Sequence, residues 1–101
     1  MGQQALVDQF LQKLKFSGGA FSSSVLFDLG DDGCVFVDAG QTPAEVAFEE
    51  READIRLVAS QDLLEGFLHG TKDPNLAFMT GKLKIKGPMN LAMKLNSVFD
   101  D

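Results

Sequence analysis

One cysteine and one histidine, with no tryptophan and no tyrosine, leave this 101-residue chain short of the side chains on which enzymes commonly build their chemistry. Nucleophilic catalysis needs a nucleophile and a base within hydrogen-bond reach, and Cys34 and His69 fall on different predicted elements. His69 closes a helix, where the dipole favours a cation. Cys34 opens a strand, where a partly buried, inert thiol is the ordinary outcome. A zinc site wants three or four Cys or His ligands, more than the chain holds. The run "DLGDDG" from Asp28 to Gly33 has the look of a calcium loop, but Gly30 stands at the third position. Ala39 stands at the twelfth, where a bidentate Glu is required. The glycine pairs lack the Lys-Ser or Lys-Thr of a phosphate loop. No catalytic residue, metal or cofactor is therefore expected, and the chain reads as a non-enzyme. A lone thiol forms no internal disulfide, and with no cation near it in the sequence pattern it should keep an ordinary pKa of about 8.5.

Positive charge is scarce as well. Nine Lys and Arg face fifteen Asp and Glu, for a net charge of -6 and a pI near 4.6. Nucleic-acid binding wants clustered cations, so no nucleic-acid partner is expected. Four of the nine basic residues lie between Lys82 and Lys94, but alternation and helical spacing spread them over the wet faces of two elements. No apolar run approaches the ~20 residues that span a bilayer. "MGQQALVDQF" has neither the cationic start nor the apolar stretch of a signal peptide. Leu6 spoils a myristoylation motif, and Phe99-Asp100-Asp101 is no peroxisomal address. The expected location is the cytoplasm, with no integral membrane segment and at most transient membrane contact.

What is present is apolar. The chain is 45% hydrophobic and 24% charged, as expected of one domain over residues 1–101 able to bury roughly 60–70% of its unfolded surface. Leu6, Val7, Phe10, Leu11 and Leu14 recur at helical spacing over 3–16, which Gly18-Gly19 terminates. "SSVLFDLGDDGCVFVDAG" reads as a hairpin around Gly30–Gly33. "AEVAFEE" and "DIRLVAS" supply two short strands. Ser60 caps a helix carrying Leu63, Leu64, Phe67 and Leu68, ended by Gly70. Asp73-Pro74 leads a helical turn with Leu76, Ala77, Phe78 and Met79. Over 82–86, Lys82, Lys84 and Lys86 alternate with Leu83 and Ile85, a strand with one wet and one dry face. After Gly87-Pro88 the period changes to three and four, through Met89, Ala92, Met93, Leu95, Val98 and Phe99, and predicts a helix over 89–99. Leu95 should pack inward, with Met93 at an edge. Nine Phe and four Met are a large apolar load for one sheet of five short strands, and an internal cavity would absorb the surplus.

The string "DPNLAFMTGKLKIKGPMNLAMKL" resembles the C-terminal signature of the sterol carrier protein-2 family: Gly81-Lys82-Leu83-Lys84-Ile85-Lys86-Gly87, then Met89, Leu91, Ala92, Met93, Lys94 and Leu95. The resemblance is specific over 73–95 and topological before residue 50, and it fits a stand-alone prokaryotic-type member. It implies an α+β fold, a five-stranded mainly antiparallel sheet with helices covering one face and an apolar tunnel between them. It also implies non-covalent carriage of a fatty acid, acyl-CoA, phospholipid or sterol-like ligand, by a monomer or weak homodimer. The matching positions nominate Phe27, Leu64, Phe67, Leu68, Phe78, Met79, Met89, Ala92, Met93, Leu95 and Phe99 as the tunnel lining. The competing expectation is an accessory, protein-interaction module of a lipid or quinone pathway, its groove holding a partner's helix or a second copy of itself.

Overall fold

The alternation between Ser24 and Asp38 decides the architecture, because it gives the sheet one apolar face and one polar face. The computed structural model describes residues 3–19 and 21–99. In chain order they form α1 (Gln3–Phe16), β1 (Ser24–Asp28), a 3-10 turn (Gly30–Asp32), β2 (Cys34–Asp38), β3 (Glu45–Ala47), β4 (Ile55–Val58), α2 (Gln61–His69), α3 (Pro74–Met79), β5 (Lys84–Lys86) and α4 (Met89–Phe99). The five strands make one sheet in the order β3-β2-β1-β4-β5. Every pair is antiparallel except β1 with β4. The fold is α+β with a mainly antiparallel sheet, as expected. The last strand is shorter than its alternating pattern, beginning at Lys84 rather than Lys82.

Register places Val25, Phe27, Val35, Val37, Ile55, Leu57 and Ile85 on one face, and this face meets the helices. Leu6, Val7 and Phe10 of α1 and Leu63, Leu64, Phe67 and Leu68 of α2 are buried with it. Four rings tie the layers together. Phe10 stands edge-on to Phe27 at 4.9 Å and 83°, and Phe99 lies 5.9 Å from Phe10 and 5.6 Å from Phe67. Such pairs add about 0.5–1.5 kcal/mol each beyond the area they bury. Caps set the limits of α2: the Ser60 side chain accepts from Leu63 N–H, and Gly70 ends the helix in a left-handed conformation.

The other face is polar, with a small apolar island of Leu26 and Phe36, opposite each other in register. Both are buried. The Arg51 guanidinium lies over the Phe36 ring at 5.5 Å and also pairs with Glu45 and Glu49, so the segment between β3 and β4 folds back over the island. Beside it, Arg56 donates to Asp28 at 2.6 Å and reaches Glu50 at 3.5 Å. The hydrogen bond from Arg56, with a second from Gly30 N–H, holds the Asp28 carboxyl below its ordinary pKa. Cys34 is half-buried. Burial, reinforced by Asp28 and Glu50, pushes its thiol up, and the nearby Arg56 only partly offsets this. The thiol is partly buried as expected; its expected ordinary pKa is corrected upward, chiefly by that burial and further by Asp28 and Glu50, which no local spacing announced.

A depressed carboxylate pKa stabilises the fold above the unfolded value and ceases to do so as pH falls through the folded one. Asp28→Asn should therefore lower the urea midpoint at neutral pH, and the gap from the parent should close below about pH 4. A gap independent of pH would mean the ion pair is not its source. Cys34 should react with a disulfide reagent more slowly in the folded protein than in urea at pH 8; equal rates would contradict its burial.

Candidate functional site

At Gly87-Pro88 the chain leaves the sheet edge and turns back over it as α4. Gly87 suits the position because its φ is 148°, and a Cβ there would lie 3.0 Å from the Asp54 carbonyl and 3.1 Å from Ile55 Cα. A glycine lets β5 close against β4 just before the helix begins.

Between α3, α4 and the β4–β5 edge lies a cleft of about 270 Å³. Its floor is Leu57, Leu83 and Ile85; one wall is Pro74, Asn75 and Phe78; the other is Met89, Ala92, Met93, Leu95, Asn96 and Phe99. Among the described residues no charged side chain lines it. The polar groups of the wall are two amides: Asn96 Nδ2 donates weakly to Asn75 Oδ1 at 3.5 Å, bridging the two helices, and Asn96 Oδ1 is buried without a partner. The mouth is open, for Phe78, Met89 and Met93 at its rim are respectively 49%, 67% and 64% exposed.

Six of the eleven nominated residues meet at this cleft: Phe78, Met89, Ala92, Met93, Leu95 and Phe99. The inward Leu95 and the rim position of Met93 both follow from the helical period, since two residues turn about 200°. Phe27, Leu64 and Phe67 instead fill the core beside Phe99. Met79 projects into solvent. Leu68 is also in the core, and it touches a second hollow of about 660 Å³ with Gln9, Gln12, Lys13, Phe16 and His69. That hollow is larger, but four of its six lining residues are Gln9, Gln12, Lys13 and His69, so it lacks the uncharged, dry wall a hydrocarbon needs. Sequence reasoning missed Leu57, Pro74, Asn75, Leu83, Ile85, Gly87 and Asn96. The signal for Leu83 and Ile85 was present in their alternation with the lysines; Leu57 needed the β4–β5 register, and the two asparagines carried no apolar mark. Among the described residues no cluster of three or more His, Cys, Asp or Glu could hold a metal, and His69 is exposed at the end of α2, away from this cleft.

The chain belongs to the SCP-2 sterol transfer family, whose model matches residues 7–100. It is 37% identical over 79 residues to the hydroxysteroid dehydrogenase-like protein 2 of Homo sapiens, covering 74% of this chain and 19% of that protein. The chain thus spans about a fifth of that relative. Among solved structures, sterol carrier protein domain 2 of Helicoverpa armigera superposes with a TM-score of 0.77 at 21% identity, covering 96% of this chain and 84% of the other. The palmitated sterol carrier protein 2-like 2 of Aedes aegypti gives 0.74 at 16% identity, covering 100% and 96%.

Leu95 is buried yet borders the cleft, so its truncation loses packing on one side only. Leu95→Ala should cost about 2–3 kcal/mol, the low end of core Leu→Ala changes. Met93→Ala should stay within about 0.5 kcal/mol. Urea denaturation of both measures this, and similar losses for the two would remove the distinction between inner wall and rim.

Proposed function

We propose that this protein binds one long-chain lipid non-covalently in the α3–α4 cleft and carries it between sites, without catalysing a reaction. The observation that carries the reading is the uncharged, apolar lining of a groove continuous with the core. Membership of a sterol transfer family and the palmitated state of a protein with the same fold support it. The hydrocarbon would lie against Leu57, Leu83, Ile85 and Phe99, the two asparagines meeting an uncharged polar group, while an ionised headgroup stays at the open mouth.

Burial of ~12–16 methylenes at about 0.8 kcal/mol each would release roughly 10–13 kcal/mol. Ordering and association costs remove several of these, and an open mouth leaves part of the chain wet, so a micromolar Kd is expected. A partner helix would lay only single anchoring side chains of its apolar face into the same lining, and it is the second reading.

Native mass spectrometry of the purified protein should show co-purifying lipid, and a fluorescent fatty acid should be displaced competitively. Ala92→Phe puts a ring into the cleft from a nearly buried position on α4. It should weaken fatty-acid binding at least about tenfold, as a loss of ~1.4 kcal/mol would, with the thermal midpoint little changed. An empty protein that takes up no fatty acid would sink the reading, as would unaltered affinity in the plugged variant.

A further inference from the structure

Asn96 is out of place on α4. It falls among Ala92, Leu95 and Phe99, the residues that turn the apolar stripe of the helix toward the cleft. Leucine there would extend the stripe, suit a helix better and leave no polar atom to satisfy. Asparagine instead places an amide in a lining that is apolar everywhere else but at Asn75. Its nitrogen reaches Asn75 Oδ1 at 3.5 Å, too long for a strong bond. That contact requires the nitrogen on the Asn75 side, so the oxygen is the atom turned away from it. Among the described residues three side-chain polar atoms are buried without a partner, and Asn96 Oδ1 is the one that belongs to a lining residue of this cleft. A buried acceptor with nothing to accept is a standing loss of stability, which a donor brought by a ligand would remove.

We infer that Asn96 is the specificity-determining residue of the cleft, and that it selects a straight-chain lipid whose head is an uncharged hydroxyl over one that ends in a carboxylate. A hydroxyl donates to Asn96 Oδ1 and keeps lone pairs for the amide nitrogen beside it. An ionised carboxylate has no proton to give. It would also bring a second negative charge toward Asp73, whose carboxylate accepts from Asn75 N–H at 2.9 Å, and no cation among the lining residues offsets the two. The amide lowers the stability of the empty protein and is compensated only when a hydroxyl arrives. By the same asymmetry, a site built to hydrogen-bond a hydroxyl rejects an analogue that lacks one. This rests on the lipid-cleft reading and deepens it by naming the head that the cleft takes.

The test is displacement of a fluorescent fatty acid by dodecanol, dodecyl methyl ether and dodecanoate at pH 8, where the acid is ionised. The ether keeps the oxygen of the alcohol and removes its proton. Dodecanol should bind about tenfold more tightly than either, the order of one buried hydrogen bond. In Asn96→Leu the advantage should vanish: dodecanol should weaken about tenfold, while the ether and the acid bind as they do to the parent. The thermal midpoint of the lipid-free variant should hold or rise. A fall would mean that the amide serves to bridge α3 and α4, and would overturn the inference. Equal binding of alcohol and ether to the parent would do the same without recourse to any variant, as would an equal loss for all three ligands in Asn96→Leu. Failure of all three to displace the probe would refute the lipid cleft itself and the inference with it. Equal displacement by all three would leave the cleft standing and refute the inference alone.

Discussion

Phe99 fixes one end of α4, and the open cleft depends on that. Its ring packs against Phe10 of α1 and Phe67 of α2, while Leu95 and Val98 are buried behind it. The first turns of the same helix have no such partners. Met89 and Met93 are exposed, and β5 beneath them is three residues long. The helix is anchored at its C-terminal half and overhangs a short sheet edge at its N-terminal half. A core fills where side chains from two layers interdigitate; here one layer ends before the other does, and the cleft occupies the difference.

The same one-sidedness explains the opposite face. Among the described residues the helices contribute their buried side chains to the core on the inward face of the sheet, and none covers Leu26 and Phe36. These are covered by the chain between β3 and β4, which brings Arg51 over the ring and Glu50 to Arg56. An arginine suits this task because its flat cation stacks on an aromatic face while its edge still donates to carboxylates. The polar face therefore has its own clasp, independent of the aromatic cluster that positions α4.

Period and punctuation in the sequence went far. The shift from alternation to helical spacing at Gly87-Pro88 marks the turn from β5 to α4, Ser60 and Gly70 bound α2, and the two-residue step from Met93 to Leu95 separates rim from wall. Periodicity reports only whether a residue faces inward. It cannot say which part of the interior is filled, and so it offers nothing to separate Phe27, Leu64 and Phe67, nominated by the family resemblance, from the cleft they do not line. Leu57 enters the floor through its pairing with Ile85, 28 positions away in the chain, and that pairing is a long-range choice no local window contains. Asn75 and Asn96 carry no local signal for the same reason: their meeting requires α3 and α4 to be packed first.

The uncharged wall constrains how a ligand would be held. A carboxylate within the cleft would meet no countercharge and would carry the cost of its own desolvation; the same carboxylate at the mouth would keep its water. On the proposed reading depth and headgroup would be coupled: an ionised lipid would be held from the mouth with its chain inserted, whereas a neutral one would be free to slide until its polar atom reached the Asn75–Asn96 bridge. The two amides sit on α3 and α4 and bridge them. A hydroxyl that replaced their weak mutual bond would satisfy the buried Asn96 oxygen, so a neutral hydroxylated lipid would leave fewer polar groups unpaired there than a plain hydrocarbon chain.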